Sequence, residues 1–292
     1  MSQGFQSQLG IDTQSTVRYG FEFDNCSMQK AGTIVDTTGL RGTRQHMDTR
    51  TRDGINTYRG TLSMQPSPEE LTYLLPWILG ANASGNNYAT SETLQSRYLT
   101  IDKVTKVYTY SGVYVDTARF SCSSGSPMRL ALDLVASGET VANAGNFPEV
   151  TYQNTASLMI FGTVLSILSS NRNIEDFELS ISNALEVKYR QNQDPSQIMP
   201  TDRNVTLRLT SPFTSAEIDM VSNAGASNTD AGASLQLNYG AKVLTFTFGA
   251  LQFPPRDPTV NGRTEILLPV EAIARRNLGG SVPDIGATLA LS

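Results

Sequence analysis

The side chains best suited to catalysis or metal binding are few in this sequence, and they lie far apart. His46 is the single histidine among 292 residues, and the two cysteines are Cys26 and Cys122. Nucleophilic catalysis needs a base beside the nucleophile, and a zinc site needs several histidine or cysteine ligands at short spacing. The sequence also lacks the G-x-x-x-x-G-K-S/T phosphate loop and the dinucleotide-binding glycine pattern. We therefore expect no catalytic residue, no metal site and no cofactor.

The chemistry that the sequence does offer is that of charged contacts, concentrated in one segment. Between Leu40 and Tyr58 there are four arginines and two aspartates, a net charge of +2 in a chain whose net charge is −5. Connections of this length without secondary structure are usually functional or disordered. We predict that residues 41–59 form a loop that docks on an acidic surface of a neighbouring subunit. Its contact residues are Arg41, Arg44, His46, Arg50, Arg52, Asp53 and Arg59, and a second-copy loop over residues 188–204 offers Lys188, Arg190, Asp194 and Arg203.

An internal duplication predicts the elements that hold these loops. Ser67 and Glu70 form an S-x-x-E helix N-cap pattern, and Thr214 and Glu217 repeat it 147 positions later. Further along, Lys106-Val107-Tyr108-Thr109-Tyr110 matches Lys242-Val243-Leu244-Thr245-Phe246 at a spacing of 136. We predict two tandem domains, residues 1–150 and 151–292, each large enough for a core of its own.

Strand patterns dominate both halves, so the predicted fold class is mainly β. Tyr58, Leu62 and Met64 alternate with polar residues, as do Val205, Leu207 and Leu209. Helix signals are few: residues 67–79 predict a short core-facing helix that bends or ends near Pro76. Residues 214–221 predict its counterpart, and residues 271–276 a last helical turn.

The composition limits the classes of partner. Charged residues make up 17% of the chain and the pI is about 5.0, which argues against disorder and against a protein that holds nucleic acid through its phosphates. Single-stranded nucleic acid remains the alternative ligand for the arginines of residues 41–59, but exposed aromatic residues are sparse there. No apolar run approaches the length that spans a bilayer, and no secretory signal opens the chain, so we expect synthesis in a host cytoplasm and no membrane partner.

Two stretches carry a resemblance to a known family. The path from Gly39-Leu40-Arg41-Gly42-Thr43-Arg44 through Gly60-Thr61-Leu62-Ser63 to Pro68-Glu69-Glu70-Leu71 resembles the major tail tube proteins of long-tailed bacteriophages, of the two-repeat type. The run from Ile174-Glu175-Asp176-Phe177 to Ala184-Leu185-Glu186 is similar to the strand that opens their second repeat. The resemblance implies two tandem tail-tube-like β-sandwich or half-barrel domains, each with one short flanking helix. It places the protein in the virion tail, as a structural protein and not an enzyme.

The resemblance also implies an assembly. The sheets of neighbouring domains would join edge to edge around a lumen, and rings would stack into a tube that contacts other tail proteins and passes DNA without binding it. Six domains need only three chains, which implies a trimeric ring with pseudo-sixfold symmetry. The two copies differ from each other in two places that bear on this symmetry. Residues 80–97 are longer than their counterpart, and Pro254-Pro255 replaces Ala118-Arg119.

Within such a tube, the sequence supports two assignments. Residues 41–59 are predicted to bridge successive rings, and Asp133, Glu178 and Glu265 are candidate lumen residues because each alternates with apolar neighbours. The alternative for these carboxylates is a subunit seam or the outer surface. The alternative functions are another self-assembling virion β-protein, such as a capsid decoration or adhesion module, and an enzyme or carbohydrate-binding domain.

Overall fold

The computed structural model describes residues 4–12, 19–36, 45, 48–147, 150–167, 170–215, 231–254, 266–277 and 283–291. Strands predominate, which confirms the mainly β fold class. The first half holds β1 (Gln8–Asp12), β2 (Tyr19–Gly20), β3 (Asn25–Cys26), β4 (Gln29–Asp36), β5 (Thr51–Met64), α1 (Pro68–Leu79), β6 (Asn87–Ala89), β7 (Arg97–Asp102), β8 (Lys106–Ser123), β9 (Arg129–Val135) and β10 (Gly138–Asn143). The second holds β11 (Met159–Ile167), β12 (Ser170–Arg172), β13 (Asp176–Ser182), β14 (Leu185–Lys188), β15 (Gln197–Pro200), β16 (Asn204–Pro212), β17 (Ala231–Tyr239), β18 (Lys242–Gln252), β19 (Leu267–Arg275) and β20 (Ile285–Ala290). Two short 3₁₀ turns cover Gly4–Gln6 and Asp48–Arg50.

One sheet runs across both halves of the chain in the order β4-β5-β9-β8-β13-β16-β19. The halves join where β8 pairs antiparallel with β13, from Thr117 opposite Ser182 to Ser123 opposite Asp176. Alternate residues of these strands are buried, so one face of the sheet covers the core and the other is polar and open to solvent.

A second sheet in each half follows the same plan. In the first half the order is β10-β8-β7-β1-β2, and in the second it is β20-β18-β17-β11-β12. The long strand β8 belongs to both sheets of its half: residues up to Val113 pair with β7, and residues from Tyr114 pair with β9. Gly112 lies at this changeover with φ 57°, a conformation that favours glycine. The repeated strand order supports the duplication inferred from sequence. The division at residue 150 stays a prediction, because the buried apolar residues of both halves form one cluster.

The helix α1 forms where the cap pattern predicts it. The Ser67 hydroxyl accepts a hydrogen bond from the Glu70 amide at 3.3 Å, and the Glu70 carboxylate accepts one from the Ser67 amide at 2.7 Å. The helix continues through Pro76 to Leu79, and Gly80 follows with φ 96°. Leu74 and Trp77 are fully buried, and the Trp77 indole donates to the Val113 carbonyl at 2.9 Å. α1 also packs against β6 and against β20 of the second half, so it lies at the junction of the repeats.

Two helix predictions fare differently in the second half. The helical turn predicted over residues 271–276 is wrong, because these residues belong mostly to β19. Val270, Ala272 and Ala274 are buried at a period of two, and that burial favours a strand. The helix predicted over residues 214–221 lies largely outside the described residues.

Candidate assembly surfaces

A two-stranded arm extends from the main sheet where a loop without secondary structure was predicted. β4 and the first half of β5 pair antiparallel from Gln29 opposite Arg59 to Asp36 opposite Thr51. The prediction of an unstructured loop over residues 41–59 is therefore wrong for residues 48–59, which form a 3₁₀ turn and strand. Both faces of the arm are open to solvent, and Ile34 is 76% exposed and Val35 51% exposed. Large exposed apolar side chains on a paired strand mark a surface suited to contact with another protein.

The predicted contact residues divide along this arm. Arg52 and Asp53 lie on exposed β5 opposite Val35 and Ile34, and Arg50 ends the 3₁₀ turn. Arg59 lies at the base of the arm, between Gln29 and Val135 in the main sheet. Arg41, Arg44 and His46 lie outside the described residues.

The edge of the first half that is equivalent to β13 consists of β3 and the start of β4. At the spacing of 147, residues 57–63 of β5 correspond to residues 204–210 of β16. Residues 204–210 pair with residues 176–182 of β13, and residues 57–63 run along residues 25–31. β13 also pairs with β8 on its other side, whereas β3 and β4 pair only with β5 in the part of the chain that the structure describes. The free edge over residues 25–31 thus corresponds to the edge that joins the two halves.

The second-copy loop packs against the base of the arm. It forms a small hairpin of β14 and β15, and the turn between them brings Gln193 and Asp194 to β5. Asp194 accepts hydrogen bonds from the Tyr58 hydroxyl at 2.6 Å and the Asn56 amide at 2.8 Å, and the Asn56 backbone amide donates to the Gln193 carbonyl at 2.8 Å. The Gln193 side chain donates to the Asp53 carbonyl at 3.1 Å. The structure therefore brings the two predicted loops together, through the Asp194 side chain and the backbone carbonyl of Asp53.

These hydrogen bonds shift the acidity of both partners. The hydrogen bond from Tyr58 is the main reason that the pKa of Asp194 lies below its usual value. Burial, followed by the bond to Asp194, raises the pKa of Tyr58. Two other predicted residues make local contacts: Lys188 pairs with Glu186 at 3.4 Å, and Arg190 donates to the Gln197 side chain at 3.1 Å.

Arg203 makes its contacts inside the chain. Its guanidinium donates to both carboxylate oxygens of Asp284, Nε to Oδ2 at 2.7 Å and Nη2 to Oδ1 at 3.1 Å. Nη1 also lies 3.4 Å from the Ser91 carbonyl oxygen of the first half. The side chains of Arg203 and Asp284 are only 22% and 15% exposed. This two-point ion pair holds the end of the second-copy loop, β20 and the first repeat together.

The polar face of the main sheet carries the described lumen candidates. Asp133 pairs with Arg119 on the neighbouring strand at 2.9 Å. Glu178 lies 3.7 Å from Arg208, which also pairs with Glu271 at 3.1 Å. The ion pair with Glu271 raises the pKa of Arg208. The sequence pattern alone does not indicate these basic partners, which the register of adjacent strands brings close to the carboxylates. Glu265 lies outside the described residues.

Comparison with known proteins identifies the family of the chain. No helix among the described residues is long and apolar enough to cross a membrane, and no group of three or more metal-binding side chains occurs there. No curated protein matches the sequence. The family model for the phage tail tube protein matches residues 4–274, which is most of the chain. The chain therefore belongs to the phage tail tube protein family and is a structural component of the virion tail.

Proposed function

We propose that three copies of this chain form a ring of six sheet-bearing repeats, and that such rings stack into a tube whose lumen passes DNA. The observation that supports this proposal most directly is the β8–β13 ladder, which joins one repeat to the next inside the chain. The free edge over residues 25–31 is the equivalent edge of the first repeat, and an exposed unpaired edge is a template for pairing with another chain. Repeating the same junction between chains would close the ring without a new type of contact.

The seam between chains would be weaker in main-chain hydrogen bonds than the seam within the chain. At the spacing of 136, the second-repeat counterparts of residues 117–123 are residues 253–259, where Pro254 and Pro255 replace Ala118 and Arg119. Proline has no amide donor, so fewer ladder bonds to residues 25–31 of the next chain are available there. Side-chain contacts would then carry more of the association between chains.

The arm is our candidate for contact between successive rings. It projects from the sheet with Ile34, Val35 and Ile55 exposed, and its base is fixed by Asp194 and Gln193. Residues 41–57 carry a net charge of +2 in a chain that is acidic overall, so carboxylates of the neighbouring ring would complement this segment. An anchored base with exposed apolar side chains beyond it suits a contact that is made only in the assembly.

The polar face of the main sheet is our candidate for the lumen wall. The acidic Asp133, Glu178 and Glu271 on this face are balanced by Arg119 and Arg208 at short range. Arginines held in these ion pairs are less available to phosphates, and phosphate binding by free cations is what would retain DNA. The ion pairs therefore favour transit over retention.

Electron microscopy of tubes assembled from the purified chain tests this proposal. We expect rings of three chains with six similar domains, the polar face toward the axis and the arm between rings. Six chains in a ring, or a polar face directed outward, would contradict it. Deleting residues 45–55 should leave a folded protein that forms rings but not tubes.

A milder pair of variants separates the arm from general surface effects. Ile34→Ser and Phe161→Ser both remove an exposed apolar side chain, one 76% exposed on the arm and the other 61% exposed on β11. We expect Ile34→Ser to shorten tubes and Phe161→Ser to leave their length unchanged. Tubes of normal length from the deletion would remove the inter-ring role of the arm.

A further inference from the structure

An open groove lies at the end of the main sheet opposite the arm. Along the free edge, Asn25 pairs with Ser63 at one end, and Asp36 pairs with Thr51 at the other, on the arm. The groove lies at the first of these ends and holds about 840 Å³, a volume in the range of ligand pockets. The lining of this aromatic groove includes the aromatic residues Phe5, Phe21, Phe23 and Tyr152 and the acidic residues Glu22 and Asp24.

Main-chain hydrogen bonds fix the aromatic groove to three elements of the fold. The Phe21 amide donates to a carbonyl of β1 at 3.1 Å, and the Asp24 amide donates to a carbonyl of β5 at 2.8 Å. The Glu22 backbone hydrogen-bonds to the Glu70 carboxylate in the first turn of α1. The groove is therefore preformed in the single chain, and a partner can bind it without the cost of ordering its backbone.

The aromatic groove combines apolar surface with negative charge. Phe5 is 82% exposed, and Phe23 beside it is half-buried. Glu22 and Asp24 are exposed, and the described lining residues include no lysine or arginine. Burial and then the negative charge of Glu22 raise the pKa of the Tyr152 phenol. An exposed aromatic side chain next to carboxylates suits a partner that is apolar and positively charged.

The arm has this complementary chemistry. Ile34, Val35 and Ile55 are exposed on it, and residues 41–57 carry a net charge of +2. The arm does not reach the groove of its own chain, because Val35 and Asn25 lie ten residues apart on an extended edge, a separation of about 30 Å. A contact between the arm and the aromatic groove therefore joins two copies of the chain.

We infer that the aromatic groove is the docking site for the arm of a second copy in the adjacent ring. This inference rests on the stacked rings of the proposed function. Rings that stack in one orientation bring the arm end of each main sheet to the groove end of the next, and such a head-to-tail contact extends a tube without closing on itself. The apolar side chains of the arm pack against Phe5 and Phe23. The positive charge of the arm faces Glu22 and Asp24.

Crosslinking in assembled tubes tests the occupant of the groove. The photoreactive residue p-benzoylphenylalanine replaces Val35, and equal amounts of ¹⁴N- and ¹⁵N-labelled chains are mixed before assembly and irradiation. We expect mixed-isotope crosslinks from position 35 to tryptic peptide 19–30, which contains the groove residues Phe21 to Cys26. The same probe at Phe161, which is exposed on β11, is the matched control and should not label that peptide.

Substitution of the exposed aromatic residue gives a second measurement. Phe5→Ser should raise the protein concentration needed for tube growth about tenfold, because an exposed phenylalanine that becomes buried in the contact stabilises it. The concentration at which rings form should not change, because the groove lies between rings. Phe161→Ser removes a similarly exposed side chain and should change neither concentration.

The outcomes separate this inference from the proposed ring. Tubes that form without a crosslink from position 35 to peptide 19–30 of another chain overturn the inference alone. The same crosslink in single rings, before stacking, would place the contact within a ring and would also overturn it, as would equal effects of Phe5→Ser and Phe161→Ser. A chain that forms no rings overturns both the inference and the proposed function.

Discussion

Breaking the ion pair between Arg203 and Asp284 should loosen the junction of the two repeats in the unassembled protein. The single variants Arg203→Met and Asp284→Asn each leave the other partner in a site where less than a quarter of either side chain is exposed. Hydrogen bonds to charged groups contribute about 1.5–3 kcal/mol each, and removing one member of a buried pair costs about 3–5 kcal/mol. Because both side chains keep some access to water, we expect each single variant to lose about 2–4 kcal/mol of unfolding free energy.

The double variant gives the coupling energy between Arg203 and Asp284. If the two groups act mainly on each other, the double variant loses much less than the sum of the singles, with a coupling energy of about 2 kcal/mol. Urea unfolding followed by the fluorescence of Trp77, the only tryptophan, measures these values from a buried site on α1 at the same junction. Arg190→Met is the control, since its partner Gln197 is neutral and the contact is exposed, and it should change stability by less than about 0.5 kcal/mol. Single effects that add within about 0.5 kcal/mol would refute the reasoning.

Three further predictions concern the core, the lumen and pH. Leu74→Ala should lower the unfolding free energy of the unassembled protein by about 2–5 kcal/mol, because the side chain is fully buried in α1; an unchanged melting temperature would show that α1 is peripheral. Changing Asp133, Glu178 and Glu265 to lysine should preserve tubes but slow DNA release, most strongly at low salt; release that does not depend on salt would remove these positions from the lumen. Because the pKa of Asp194 is lowered in the folded protein, its ionised form stabilises the fold above the usual carboxyl pKa, and that contribution is lost as the pH falls through the lowered value. Thermal melts between neutral and acidic pH should therefore show a smaller acid-induced loss for Asp194→Asn than for the parent protein, and equal losses would exclude the carboxylate as the cause.

Local sequence patterns predicted several elements of the fold. The cap of Ser67 and Glu70, with leucines at helical spacing after Pro68, predicted α1 almost to its ends. The prediction left open whether the helix bends or ends near Pro76, and the structure shows that it continues to Leu79 with the turn around Pro76 buried. Alternation predicted β16 and the inner half of β5, where one face of the sheet is buried.

The arm was not predicted as a pair of strands, because the alternation that identified β16 is missing there. An alternating pattern arises only when one strand face is buried, and both faces of the arm are open to solvent. Residues 51–56 form a strand because they pair with β4. Polar residues such as Arg52 and Asp53 give no sign of that partner in the sequence. The charge and length of residues 41–59 therefore indicated a functional segment, but they did not indicate its two-stranded structure.

Contacts between residues far apart in the sequence could not be predicted either. Arg203 looked like part of a charged loop, and nothing near it indicates Asp284, which follows it 81 positions later. Lumen candidates were chosen by alternation, which identifies the polar face but not the cations that lie across from it. Arg119 and Arg208 are paired with Asp133 and Glu178 only by the register of adjacent strands. Register depends on the whole sheet and so lies beyond a reading of local spacing.

The ladder between β8 and β13 has a kinetic consequence. Its seven residue pairs form while one chain folds, so they require no encounter between molecules. Two separate proteins would lose about 4–15 kcal/mol of translational and rotational freedom to make the same ladder. In the proposed ring, every second seam is therefore already closed when assembly begins. The nucleus of a new ring then needs three molecules to meet, not six, and its formation depends less steeply on concentration. A tethered pair of repeats allows tail growth to continue at protein concentrations too low for separate domains to nucleate rings.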